Sequence, residues 1–182
     1  MNTVVLVFIV LIIGLLGYFI ALYSQILSLR DHFIKAFVSL NFQLKQRYSL
    51  IPYLLQTTTS YISDESDAIQ SLSQACERAT NAAEIADTNP ADAQLLDRLT
   101  DAEAALKVAL GHFSDFIETS PNLKSDSRLV LQMNEISLVE VKISTSGQAF
   151  NDAVVAYNHY CERFPHSLIT RIFRLRQTRF FN

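Results

Sequence analysis

Residues 1–29 carry no charged side chain, and Val4 to Tyr23 form an almost unbroken run of Val, Leu, Ile and Phe. About 20 such residues span roughly 30 Å as a helix, the thickness of a bilayer's hydrocarbon core. Each large aliphatic residue near the centre favours insertion by roughly 0.3–0.6 kcal/mol. Gly14 and Gly17 weaken a helix in water but are ordinary in lipid. A chain that opens in this way is expected to be a body hung from one membrane anchor. A cleaved leader fits less well: no basic residue precedes the run and no small-x-small site follows it.

The flanking cations set the expected orientation. Nothing basic precedes the span, whereas Arg30, Lys35, Lys45 and Arg47 follow it. By the positive-inside rule the N-terminus lies outside and the body in the cytoplasm, in a single-pass protein of the inner (cytoplasmic) membrane. The expected divisions are a short N-terminus over 1–3, the anchor over 4–23, a helical bundle over 24–165 and a basic amphipathic tail over 166–182.

Beyond the anchor, Gly and Pro are scarce and no stretch alternates with period two, so the body is expected to be all-α. Ile26, Leu29, Phe33, Phe37, Leu40, Leu44, Tyr48, Ile51 and Leu55 follow one another in steps of three and four. That pattern repeats about every 11 residues, which keeps one stripe on a nearly straight helix rather than a left-handed coiled coil. The first helix should therefore leave the membrane without a break and reach about Ser60, with Pro52 as a kink or join.

A second helix is expected from about Glu65 to Ile85. A third, capped by Asn89 with Pro90 at its first position, runs to about Glu118. Its inward face is Leu95, Leu99, Ala102, Leu106, Leu110, Phe113 and Ile117. The fourth spans about Ser125 to Arg163, with Leu129, Met133, Ile136, Val139, Ile143, Gly147, Phe150, Val154, Tyr157 and Phe164 inward and Gly147 permitting close helix approach. A short terminal helix over Leu168 to Leu175 follows. Short connections make this an antiparallel up-and-down four-helix bundle with long first and last helices. The shorter middle pair would cover only the part distal to the membrane.

Charge follows the same layout. Between Asp64 and Asp126 acids far outnumber Arg78, Arg98, Lys107 and Lys124, while the first helix and the tail are basic. In the tail, Arg171, Arg174, Arg176 and Arg179 alternate with aliphatic residues and precede Phe180 and Phe181. This composition suits an anionic lipid interface, so Arg30, Lys35 and these tail residues are the candidate membrane contacts. The alternative is a tail docked on the bundle with its arginines solvated.

The segment Arg30 to Glu65, centred on Gln43, Leu44, Lys45, Gln46, Arg47, Tyr48, Ser49, Leu50, Ile51 and Pro52, resembles the LemA family. So do Phe150, Asn151, Asp152, Ala153, Val154, Val155, Ala156, Tyr157 and Asn158, then Phe164, Pro165, His166 and Ser167, and the ending Arg179, Phe180 and Phe181. The chain departs from the family pattern at Tyr53, Asp64 and residues 147–149. The resemblance implies an up-and-down bundle with an extracellular N-terminus and a cytoplasmic body, and brings no established activity.

No catalytic constellation stands out. His32, His112, His159 and His166 lie on separate elements, and neither a His-Glu-x-x-His zinc spacing nor a glycine-rich phosphate loop occurs. Cys76 and Cys161 are expected as reduced core thiols, and Asn41, Asn151 and Asn158 as amides at the core boundary. The expected role is a non-enzymatic adaptor or self-assembling scaffold without cofactor or metal. Its partners would be membrane lipid, an unidentified protein and further copies of itself, with no nucleic acid. Family analogy supplies an alternative, an accessory subunit of a membrane quality-control or proteolytic system. A metal-dependent enzyme would need a convergent His and carboxylate cluster.

Overall fold

The computed structural model describes residues 3–59, 61, 67–163, 170 and 177–181. The described chain folds into α1 (Thr3–Thr59), α2 (Asp67–Thr88), α3 (Ala93–Thr119), the single turn α4 (Pro121–Lys124) and α5 (Ser127–Glu162). Of the expected terminal helix only Thr170 is described, and it is helical; Phe164 and Pro165 lie outside the described residues.

α1 is one helix of 57 residues. Its apolar beginning is long and apolar enough to cross a membrane, and almost all of it is exposed, with Val5 to Leu16 packed on nothing. From Leu22 onward the stripe turns inward. Ile26, Phe33, Phe37, Leu40, Leu44, Tyr48 and Ile51 are buried as their spacing requires, joined by Leu22 and Leu54. Leu29 and Leu55 lie at its edge. The helix runs through Pro52 without a break. A proline there removes the N–H that would bond the Tyr48 carbonyl. The Cys76 thiol of α2 donates to that carbonyl instead, at 3.9 Å.

α5 runs antiparallel to α1 in constant register. Tyr160 donates to Gln25 Oε1 at 2.8 Å, Phe33 meets Tyr157 with ring centres 5.0 Å apart, and Phe37 meets Phe150 at 5.7 Å. Further out, Arg47 reaches Glu140 at 2.6 Å. The two aromatic pairs are each worth roughly 0.5–1.5 kcal/mol beyond the area they bury.

α2 and α3 form a hairpin on the outer half only. Lys45 pairs with Asp87 at 2.8 Å, which fixes the α2–α3 turn about 22 residues, roughly 33 Å, beyond Tyr23. α2 buries Ala75, Ala79, Ala83 and Ala86 with Ile69 and Leu72, a small-residue face that lets helices approach closely. The described helices therefore form a head, where α2 and α3 join α1 and α5, and a stalk, α1 with α5, between the head and the apolar segment.

Two helix starts differ from expectation. Asp92 caps α3, its carboxylate accepting from the Gln94 N–H at 2.8 Å, while Asn89 closes a turn by accepting from the Asp92 N–H at 3.0 Å. An ionised oxygen two residues before the amide is the better acceptor, so Pro90 falls in the turn rather than at the first helical position. Asp126 caps α5 in the same way, accepting from the Arg128 N–H at 2.7 Å. The Tyr61 hydroxyl also donates to Asp126, at 2.5 Å, and together with Arg128 holds its carboxyl well below the usual range. α3 faces inward through Leu96, Leu99, Glu103, Leu106, Ala109, Phe113 and Ile117. Leu95, Ala102 and Leu110 are displaced to the edge.

Candidate binding groove

Glu103 is the unexpected member of that face. It is 6% exposed and lies against Arg47, itself 2% exposed. The guanidinium holds Glu103 through Nη2 and Glu140 through Nη1, the latter at 2.6 Å, and the Tyr48 hydroxyl donates to the other Glu103 oxygen. Both Glu103 oxygens are thus occupied. Burial alone would lower the Arg47 pKa, but the carboxylates of Glu103 and Glu140 outweigh it and raise it, so the group stays charged. Burial, reinforced by Glu103, pushes the Tyr48 hydroxyl far above its ordinary value. The cluster ties α1, α3 and α5 together, and removing one partner would strand a buried charge.

Above it α3 and α5 do not close. A groove of about 540 Å³ runs between them, with Arg47, Glu103 and Glu140 in its floor and Lys107 and Gln148 along it. Arg47 Nε and Thr100 Oγ1, both buried beside it, have no hydrogen-bond partner among the described residues.

Residues 177–181 lie along α5 without regular secondary structure, and Phe181 closes one end of this groove. The Asn158 side chain donates to the Thr178 carbonyl at 3.0 Å and accepts from the Thr178 N–H at 3.2 Å. Asn151 repeats the pattern with Phe181, at 2.7 and 2.8 Å. The match is metric. Seven helical residues advance about 10.5 Å, and three extended residues advance about 10 Å. The Phe181 ring then lies over Gly147, where an added Cβ would come within 3.3 Å of it. Gly147 thus admits a side chain of the tail rather than a neighbouring helix.

This corrects the expectation for Phe181. It is 8% exposed, its ring packed on the bundle at Gly147, which is the docked alternative for this residue rather than an exposed contact. Arg179 turns toward α3, 3.8 Å from Asp97, and Phe180 is exposed. Arg171, Arg174 and Arg176 lie outside the described residues. Arg30 is partly buried, and the exposed Lys35 pairs with Asp31 at 2.6 Å.

The expected motif residues divide by role. Leu44, Ile51, Ala153, Val154 and Tyr157 are core; Leu50 and Gln43 are half-buried; Pro52 is exposed beside Tyr48 and Cys76. Lys45 and Arg47 make the ion pairs described above, and Asn151 and Asn158 clamp the tail. Asn41 is buried, with Oδ1 unpartnered among the described residues. Cys76 and Cys161 are free, buried thiols, their pKa values raised by burial. Among the described residues no three His, Cys, Asp or Glu side chains converge as metal ligands would. Glu103 was missed because a carboxylate inside an apolar stripe reads as a phase boundary. Its only sequence signal is its place four residues after Leu99 and three before Leu106.

Taken together, these features define a class: an all-helical bundle on a stalk that continues an apolar, membrane-length helix. The chain belongs to the LemA family, whose model matches residues 36–182, from the stalk through the tail. No curated protein matches the sequence.

Proposed function

We propose that this protein is a membrane-anchored, non-catalytic adaptor that presents its helical head in the cytoplasm. The observation that carries the reading is the continuity of α1, one helix of 57 residues serving in turn as anchor, stalk and head. A helix without a hinge transmits position, and it holds the α2–α3 turn roughly 33 Å from the end of the apolar run. Arg30 and Lys35, just past that run, favour the cytoplasmic side for the head. The groove supports binding rather than turnover, because both oxygens of its buried carboxylate are committed to Arg47 and Tyr48.

The test is extraction in native membrane patches without detergent, followed by mass photometry and mass spectrometry. An adaptor or scaffold gives a homogeneous species of this chain, alone or with a non-enzymatic partner. Stoichiometric recovery of a membrane protease would make the protein an accessory subunit of that enzyme instead.

A further inference from the structure

The tail and its seat have the form of ligand and receptor. Two asparagines seven residues apart lie on one face of α5, and each reads the N–H and C=O of a single residue of the 177–181 segment. These four hydrogen bonds involve only backbone groups of the segment. Side-chain selection is confined to Thr178, 4% exposed, and to Phe181 over Gly147. Arg179 and Phe180 project outward and are not selected by the clamp. This is how a peptide-binding face works: backbone contacts hold the segment, and the side chains that turn inward, here three residues apart, choose among segments.

We infer that the Gly147–Asn158 face is a peptide-recognition site, and that the ligand it takes in trans is the 177–181 segment of a second copy. The segment of a neighbour is chemically identical to the resident one and satisfies the same four hydrogen bonds and the same notch. The described contacts are two amide pairs, the Phe181 ring, a Gln177–Glu162 hydrogen bond at 2.8 Å and a long Arg179–Asp97 pair, all made from outside the α1–α5 seam, so detachment leaves the helices of the bundle intact. The inference rests on the membrane-anchored reading. Anchored copies carry clamp and segment at the same height, roughly 21 Å beyond the apolar run, which confines the search to a plane and raises the effective concentration. Reciprocal exchange closes a two-fold dimer and leaves no site unfilled.

Two full-length variants with different tags test this, co-expressed and extracted in native membrane patches. One carries Asn151→Ala and Asn158→Ala and keeps its segment; the other keeps its clamp and lacks residues 177–182. Neither can pair with itself through the site, but each supplies what the other lacks. Exchange predicts that the mixed pair co-purifies while each variant alone does not self-associate. Association of the mixed pair no greater than that of either variant alone overturns it.

A second measurement guards against misfolding. A fluorescent peptide of residues 177–182 is titrated onto the chain lacking them, in nanodiscs, with helicity checked by circular dichroism. Saturable binding that weakens roughly 30-fold with Asn151→Ala, for two hydrogen bonds lost, supports the site. A folded chain that leaves the peptide unbound overturns it. If exchange fails while native extraction still yields a homogeneous assembly of this chain, the scaffold reading stands and only this route to it falls.

Discussion

The head and the stalk solve the same packing problem with different materials. In the head, α2 brings an alanine face to the bundle, and small side chains let helices approach closely around a core of Leu and Ile. In the stalk α1 meets α5, and the contact is made by large rings, Phe33 with Tyr157 and Phe37 with Phe150. Two helices enclose little volume between them, so the stalk needs bulky residues to exclude water and a further segment to cover its open side. Residues 177–181 cover part of it. The difference also locates the polar chemistry. A buried ion cluster is tolerated where several helices surround it, and the stalk instead uses neutral asparagine amides against backbone.

Breaking the head should have the largest effect. Arg47→Ala strands Glu103 with the Tyr48 hydroxyl as its remaining described partner, and is expected to cost about 3–5 kcal/mol. Denaturant unfolding of the full chain in nanodiscs measures this. Arg47→Met combined with Glu103→Leu should recover most of it, and failure to recover would show that the cluster does more than neutralise itself.

Phe37→Ala attacks the stalk and should cost about 3 kcal/mol, somewhat less if the two helices collapse into the space. Hydrogen exchange should then rise in residues 24–44 and 148–162 but not across α2 and α3. A uniform rise would mean that the two regions fold as one cooperative unit.

Alkaline titration compares the regions directly. Burial raises the pKa of Tyr48 in the head and of Tyr157 in the stalk, so the folded state keeps protons that the unfolded chain releases. The linkage slope is therefore negative above the unfolded tyrosine value. Stability is fully present below about pH 10 and falls as pH rises beyond it. Tyr157→Phe should flatten the alkaline loss seen by stalk probes and leave that of head probes unchanged.

The two buried thiols report local opening. Both are held protonated by burial, so labelling by a thiol reagent requires exposure. Cys161, near the stalk end of α5, should label faster than Cys76, enclosed by the head. The reverse order would place the weaker region in the head.

The smallest effect is expected at Gly147. Alanine gains up to about 1 kcal/mol of helix propensity but crowds Phe181. Gly147→Ala should raise the melting temperature of the chain lacking residues 177–182 and raise it less, or lower it, in the full chain. Equal shifts in both would mean that the ring moves aside at no cost.

Much of the architecture was legible in the sequence because it rests on local rules. The uncharged run, the steps of three and four along α1, and the short breaks at 87–92 and 120–126 follow from periodicity and turn chemistry. Helix order and unequal helix length then implied a head that covers only the distal part. The groove was less legible. Arg47, Asn151 and Asn158 stood out by resemblance to the LemA family, but their respective partners Glu103, Phe181 and Thr178 lie 56, 30 and 20 residues away in sequence. No local pattern links residues so separated.

What the sequence determined by itself is the membrane-length segment, the helical class and the stripe each long helix turns inward, since hydrophobic burial acts residue by residue. What only the tertiary structure decided is which polar groups meet. It made Glu103 a core residue by placing Arg47 opposite it, and it seated Phe181 in a notch over Gly147. Both outcomes depend on pairing, because a buried charge or backbone amide is stable only where another segment brings its complement within hydrogen-bonding distance.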